Sequence, residues 1–279
     1  MSVVFSAGDA EMKAVILARG LGKRMRSGDD AAALDPRQRA AADTGVKAMI
    51  PVGRPFLDYV LSALADAGCR RVCLVIGPNH QAIRDYYGRQ VVPRRLSVEF
   101  AVQQEARGTA DAVAAAESFA GGDLFLMINS DNYYPPQALG ALTAADGPAV
   151  ALFDRQGLLA GGNIPPERVS RFSVGQSDGR GFLKRIIEKP DEAALAALPQ
   201  PIYVSMNCWR FSPAIFAACR AIGPSPRGEF ELPDAVQYAI DVLGERFRVE
   251  EVHAPVLDLT SRSDIAAVAA LLAGREVDL

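Results

Sequence analysis

The sequence predicts an α/β fold, a mixed but mostly parallel central sheet between layers of helices, and three observations carry that expectation. Short unbroken apolar runs recur at 13–18 (KAVILA), 71–76 (RVCLVI) and 124–128 (LFLMI). Continuous apolar strands of this length belong in parallel sheets covered on both faces. Between the first two runs lies a helical pattern, 56–68, in which Leu57, Val60, Leu61 and Leu64 recur at three- and four-residue spacing until Gly68 stops it. Finally, two of the runs lead straight into polar turns, a Gly-bearing one after Ala18 and an acidic one after Ile128. Strand, helix, strand at this rhythm gives right-handed βαβ units, and in such sheets ligands gather beyond the carboxyl ends of the strands.

The remaining elements follow in order. The run 96–102 alternates and precedes Gln103, as a strand would. Beyond Pro148 the pattern loosens: 149–153 reads as a strand and 157–166, rich in Gly and Pro, as a loop. The runs 172–174 and 182–187 read as strands flanking the turn Ser177-Asp178-Gly179. A strand at 202–211 precedes helices at 213–221 and 232–243. A strand at 247–253, the short segment Leu257-Asp258-Leu259 and a helix at 263–273 close the chain. The polar, Ala-rich stretch 27–44 reads as a mobile loop or short helix over the ligand edge. No internal repeat or low-complexity segment is present.

Composition narrows the function classes. At 279 residues with 49% hydrophobic content, the chain is long enough for one large α/β domain. A net charge of −3 supplies no basic field for DNA or RNA, so a phosphate-bearing ligand must be small and met by a few local cations and backbone N–H groups. Cys69, Cys73, Cys208 and Cys219 lie in or beside apolar runs without zinc-site spacing, and are expected as buried free thiols. No stretch reaches the ~18–20 apolar residues of a membrane span. The segment 1–12 carries Asp9 and Glu11 and does not read as a signal peptide, so the expected location is cytoplasmic.

Four places could carry chemistry. In Gly20-Leu21-Gly22-Lys23-Arg24, glycines would let backbone N–H groups approach phosphate oxygens and Arg24 would add charge-assisted bonds; a plain tight turn reads equally well. The dinucleotide fingerprint is absent, because the third glycine is missing. Asp131, just past an apolar strand, could hold Mg²⁺ against ligand phosphates or simply close an Asx turn. Asp258 is enclosed by apolar neighbours, so a metal or an Arg partner is expected for it. Lys47, ahead of Met49-Ile50-Pro51-Val52, could neutralise charge on a phosphoryl group or be a surface lysine.

Taken together these segments resemble the sugar nucleotidylyltransferases. Leu17-Ala18-Arg19-Gly20-Leu21-Gly22-Lys23-Arg24-Met25 is similar to their L-A-x-G-x-G-T-R-M signature, and Lys47-Ala48-Met49-Ile50-Pro51-Val52 with Pro55-Phe56-Leu57 to their K-x-M-x-P-V…K-P-[ML]-I. Gln103 to Ala110 resembles Q-x(4)-G-T-A, Asp131-Asn132 stands at G-D-N, Glu188-Lys189-Pro190 matches E-K-P, and Asp258 falls at the Asp of W-x-D-x-G-T. The resemblance implies a three-layer, Rossmann-like nucleotidyltransferase fold over 13–265, with 13–135 binding nucleotide and 136–265 binding sugar phosphate. Residues 1–12 would be an N-terminal extension and 266–279 a helix end and tail.

It further implies a nucleoside triphosphate and a sugar 1-phosphate as substrates, with neither nucleic acid nor membrane as a partner and with room for a homo-oligomer. The triphosphate would lie over Leu17, Ala18, Gly20, Gly22 and Lys23, with its base against Gln103, Gly108 and Thr109. Arg24, Lys47 and Asp131 would be catalytic, Asp131 and Asp258 would hold Mg²⁺, and Asn132, Glu188, Lys189 and Asn207 would meet the sugar phosphate. Gln103 with Gly108-Thr109 leans toward UTP or dTTP. A GTP- or CTP-using relative and a catalytically silent regulatory relative are the alternatives. The segment 27–44 is expected to close over bound triphosphate. Departures from the pattern are Arg19 at a small-residue position, Lys23 for Thr, Val46 where a Pro often precedes the lysine, Ser130 for Gly, a missing Gly at Val169-Ser170-Arg171, and Leu257 for Trp.

Overall fold

The computed structural model describes residues 11–27, 32–198 and 200–279. Its strands are β1 (Lys13–Leu17), β2 (Arg71–Ile76), β3 (Ser97–Val102), β4 (Phe125–Asn129), β5 (Asn132–Tyr133), β6 (Ala149–Asp154), β7 (Ser173–Ser177), β8 (Leu183–Ile187), β9 (Tyr203–Phe211), β10 (Arg248–Val252) and β11 (Leu257–Asp258). Among the described residues the main sheet runs β10-β6-β9-β4-β1-β2-β3, with the β7–β8 hairpin branching off β9. β1 pairs in parallel with β2 and β4, and β2 with β3. β9 is antiparallel to both β4 and β6, so β6 and its parallel neighbour β10 point the same way as β1–β4. The sheet is therefore mixed and mostly parallel. Its parallel strands share one carboxyl edge.

Both faces are covered, as unbroken apolar strands require. Side chains alternate across the sheet: Ala14 and Ile16 of β1 and Leu126 and Ile128 of β4 enter one core, while Val15, Phe125 and Met127 enter the other. The helix Phe56–Asp66 closes the first core with Phe56, Leu57, Val60, Leu61 and Leu64. The helices Thr109–Ala114, Ala214–Ala221 and Leu232–Asp241 close the second with Val113, Ile215, Phe216 and Val236. Aromatic contacts fill the second core: Trp209 stacks on Phe211 at 5.4 Å, Phe247 meets both edge-on at 5.8 Å, and Phe125 stacks on Phe216 at 5.4 Å. Burial pushes the thiols of Cys69 and Cys73 up to about 12, so they are packing groups, not nucleophiles.

One segment differs from the sequence expectation and another resolves it. Part of the Gly- and Pro-rich stretch 157–166 belongs to the helix Arg155–Leu159, which Asp154 caps by accepting the Gly157 N–H at 2.9 Å. Of the stretch 27–44, residues 28–31 lie outside the described residues. The remainder contains the helix Pro36–Thr44, started by a capping box in which Asp35 accepts the Arg37 and Gln38 N–H groups and Gln38 accepts the Asp35 N–H.

Replacing Trp209 with Ala leaves a void in a core with little freedom to collapse, and is expected to cost about 3–5 kcal/mol of stability. Urea unfolding should show a lower midpoint at an unchanged slope.

Candidate active site

The site begins with a register. Leu17, the last residue of β1, lies opposite Asn129, the last of β4. Ser130 N–H then donates to Leu17 O at 3.1 Å, and Ala18 N–H to Val75 O at 2.8 Å. The segments after both strands therefore leave the sheet side by side, and a cavity of about 500 Å³ opens between them. Leu17, Ala18, Gly20, Gly22, Lys23, Arg24, Lys47, Gln103, Gly108, Thr109 and Asp131 all line it, so eleven of the expected site residues converge there. Arg19, Lys23, Arg24 and Lys47 face Asp131 and Glu229 around its wall. Four cations against two carboxylates make this pocket positive in a chain of net charge −3.

Two glycines are irreplaceable on geometric grounds. Gly22 has φ 57° as the first cap of the helix Lys23–Arg26, and a Cβ there would sit 2.1 Å from Gly45 O. Gly108 has φ 120°, and its Cβ would sit 2.4 Å from Phe230 O. That close approach clamps the 103–109 segment: Phe230 N–H donates to Arg107 O at 2.7 Å, and Ala110 N–H to Phe230 O at 2.9 Å. Within the clamp Gln103 is buried, and its Nε2 donates to Gly108 O at 3.0 Å and Asp111 Oδ2 at 2.8 Å. Both amide donors are thus used, which turns the amide oxygen into the free acceptor. The Thr109 hydroxyl accepts the Leu232 N–H at 2.9 Å and keeps its own O–H to donate.

Lys47 Nζ meets Asp131 Oδ2 at 2.7 Å, with side chains 16% and 26% exposed. Asp258 lies behind this pair, not on the cavity wall. The short β5–β11 ladder sets Asp258 opposite Asn132, whose Nδ2 donates to Asp258 Oδ1 at 3.2 Å. Thr260 Oγ1 donates to the same oxygen at 3.0 Å, and Arg168 Nη1 to Oδ2 at 2.8 Å. Burial first, and then the charge of Asp131, push the Asp258 carboxyl above the usual range, against Thr260 and Arg168. Arg168 is the partner that burial of Asp258 demanded, and it also binds Asp264 Oδ1 at 2.9 Å. Buried Arg262 ties this region to the cavity rim by donating to Met25 O at 2.9 Å and pairing with Asp43.

A second polar cluster gathers Glu188, Lys189 and Arg227. Glu188 accepts from the Ser173 hydroxyl and from Lys189 Nζ at 3.1 Å and Arg227 Nη2 at 3.2 Å. Burial works to raise its carboxyl, but these three partners outweigh it and hold it below the usual range. Arg227 also pairs with Glu231 at 2.6 Å. Lys189 and Asn207 are the non-glycine residues with positive φ, 42° and 56°, among those described. Tyr134 links Asn207 to the cavity floor: its hydroxyl sits 3.3 Å from Asn207 O and accepts the Asn129 N–H at 3.3 Å. Asn132, Glu188, Lys189 and Asn207 therefore lie beside the cavity, not on its wall.

Arg168 and Arg227 were not singled out from the sequence. Arg168 sits on the four-residue helix Pro166–Val169, too short for a periodic signal. Arg227 lies in the polar turn 225–229, away from every segment singled out above.

The profile of the nucleotidyl transferase family matches residues 41–251. The chain belongs to the nucleotidyl transferase family. It is 29% identical over 230 residues to a UTP–glucose-1-phosphate uridylyltransferase of Haloferax volcanii, a match covering 82% of this chain and 84% of that protein. It is 28% identical over 249 residues to a low-salt glycan biosynthesis nucleotidyltransferase of the same organism. A glucose-1-phosphate thymidylyltransferase of Streptomyces griseus is 31% identical over 234 residues. Those two matches cover 82% of this chain but only 59% and 58% of the longer relatives. Among solved structures, UDP-glucose pyrophosphorylase complexed with UDP-glucose superposes with a TM-score of 0.72 at 19% identity, covering 96% of this chain and all of that one. The pyrophosphorylase from Acinetobacter baumanii gives 0.71 at 19%. The nucleotidyltransferase fold is thereby shared.

In this family member, Gly108→Ala is expected to cost about 2 kcal/mol or more, from positive φ and overlap with Phe230. A lowered urea midpoint, with faster hydrogen exchange along 103–110, would register it. A carboxyl depressed in the fold contributes stability above its unfolded pKa and loses it as pH falls through the folded value. Glu188→Gln should therefore melt lower than the parent at pH 7, and the gap should close as pH falls below about 4.

Proposed function

We propose that this chain transfers a nucleotidyl group from UTP or dTTP to a sugar 1-phosphate and releases pyrophosphate. The observation that carries this reading is the convergence of a Gly-bearing cationic loop, the Lys47–Asp131 pair and the clamped Gln103 on one cavity at the carboxyl edge. Asp131 follows β4 and Gln103 follows β3, three strand positions away along the sheet. At ~4.8 Å per strand that is about 14 Å, enough to accommodate a nucleotide with its α-phosphate beside Asp131 and its base beside Gln103.

An oxygen of the sugar phosphate attacks the α-phosphorus in line, forming the new P–O bond as the α–β anhydride bond breaks. Arg24, Lys23 and the backbone N–H groups of the glycine loop stabilise the negative charge of the departing pyrophosphate. Lys47 neutralises the α-phosphoryl oxygens while holding Asp131 in place. Gln103, with only its amide oxygen free, accepts the ring N–H of uracil or thymine. In the neighbouring cluster Glu188 accepts sugar hydroxyls, and Lys189 and Arg227 meet the acceptor's phosphate.

The site suits Mg²⁺. Asp131 Oδ1 accepts no hydrogen bond among the described residues, and the raised Asp258 carboxyl marks two carboxylates whose repulsion a divalent cation would relieve. Asp131 would hold the ion and Asp258, bound to Arg168, would support it from behind. Bound there, Mg²⁺ supplies Lewis-acid stabilisation of the phosphate oxygens. Residues 13–265 would act as one unit, with nucleotide in 13–135 and sugar phosphate in 136–265. The free, buried cysteines support a reducing, cytoplasmic location.

Pyrophosphate release with Mg²⁺, assayed for five triphosphates against a panel of sugar 1-phosphates, tests the reading. Release should require both substrates and be fastest with UTP or dTTP. Asp131→Asn should lower kcat by about 100-fold or more. Release from a triphosphate without any acceptor, or from no pair at all, would refute the transferase.

A further inference from the structure

Arg19 is a departure from the family pattern that lines the cavity, half-buried in its wall. Its stem passes over Gly77, the residue after β2, where a Cβ would come within 3.5 Å of Arg19 Cγ and 3.6 Å of Nε, and within 3.8 Å of His80 Cε1. The guanidinium thus reaches away from the phosphate loop toward the ends of β2 and β3. Nη2 points at Gln104 O at 3.5 Å, the outer limit of a hydrogen bond. Nε and Nη1 are closed off from solvent with no partner among the described residues. Gln104 is the neighbour of Gln103, whose amide donors are spent and whose oxygen is free.

The cavity wall therefore carries one open acceptor, on Gln103, and a guanidinium, on Arg19, whose enclosed and unspent donors a rotation of the side chain would turn toward a bound base. A pyrimidine with a ring N–H next to a carbonyl, as in uracil or thymine, complements that pair. Cytosine inverts it, turning a ring nitrogen lone pair toward Gln103 and an amino group toward Arg19. The inference rests on the nucleotide reading above. We propose that Arg19 is a specificity-determining residue, its guanidinium donating to the C4 carbonyl of the base so that the site takes the keto pyrimidines and rejects cytosine. The unpaired donors of the ligand-free protein are then the groups that the base satisfies, after a small rotation of the side chain.

Calorimetric titration of UTP and CTP, without acceptor, into the parent and Arg19→Met tests this. The parent should bind UTP about 10- to 100-fold tighter than CTP, the range for one hydrogen bond to a charged group. Arg19→Met should lose most of that ratio through weaker UTP binding. Its ligand-free melting temperature should equal or exceed the parent's, because enclosed unpaired donors are removed. An unchanged UTP:CTP ratio, or an equal loss for both nucleotides, which would mark a phosphate contact, overturns the assignment of Arg19 and leaves the transferase standing. A parent that binds no triphosphate overturns both.

Discussion

The parallel pairing of β1 with β4 is the constraint on which the rest depends. Its register ends with Leu17 beside Asn129 and continues as the Ser130 N–H bond to Leu17 O. One more residue in either strand would turn Asp131 or the glycine loop toward a covering helix instead of the edge, because side chains alternate in strict period two. The apolar cores on both faces hold this register, since Val15 and Ile16 of β1 belong to opposite cores and cannot exchange places. Chemistry at the edge is therefore positioned by packing inside the sheet's two cores.

From that pairing follows the charge arrangement. Two aspartates brought close by the β5–β11 ladder and the β4 turn repel each other, and each is answered by its own cation: Lys47 for Asp131, Arg168 for Asp258. Asp131 keeps an oxygen toward the cavity, whereas Asp258 is surrounded by Arg168, Asn132 and Thr260. The two carboxylates are unequal by construction. Arg262 extends the network to the helices Lys23–Arg26 and Pro36–Thr44, so the acidic side and the phosphate-loop side of the cavity are mechanically joined.

Much of this was legible in the sequence, for a reason visible in individual elements. The runs 71–76 and 202–211 announce β2 and β9 almost to the residue: 72–76 is apolar throughout, as a strand buried on both faces is, and β9 is mainly apolar despite Ser205, Asn207 and Arg210. Asp131 and the glycine loop stood out because they come directly after apolar strands, and Lys47 because an apolar segment follows it. What stayed hidden depends on tertiary contact. Arg168 looks like any surface arginine until Asp258 is placed against it from 90 residues away. The bond from Leu232 N–H to the Thr109 hydroxyl spans 123 residues and shows only in the fold. The helix Arg155–Leu159 was masked by glycine and proline, whose local preference the Asp154 cap overrides.

The costs to stability are distributed unevenly. The second core is close-packed around aromatic pairs, and Trp209, Phe211 and Phe247 are buried to within 1%. The carboxyl edge carries the left-handed Lys189 and Asn207, the enclosed unpaired nitrogens of Arg19 and the raised carboxyl of Asp258. Each is a state that a sequence selected only for stability would avoid, by Gly at the first two, a small residue at Arg19 and an apolar one at Asp258. Arg210 Nε, enclosed and without a partner among the described residues opposite the starts of β4 and β6, is an exception at the other end; the gathering of the rest around one positive cavity is an argument for function. Strain and unmet polarity persist where a bound ligand offsets them, and the aromatic core supplies the rigidity that keeps them in place without it.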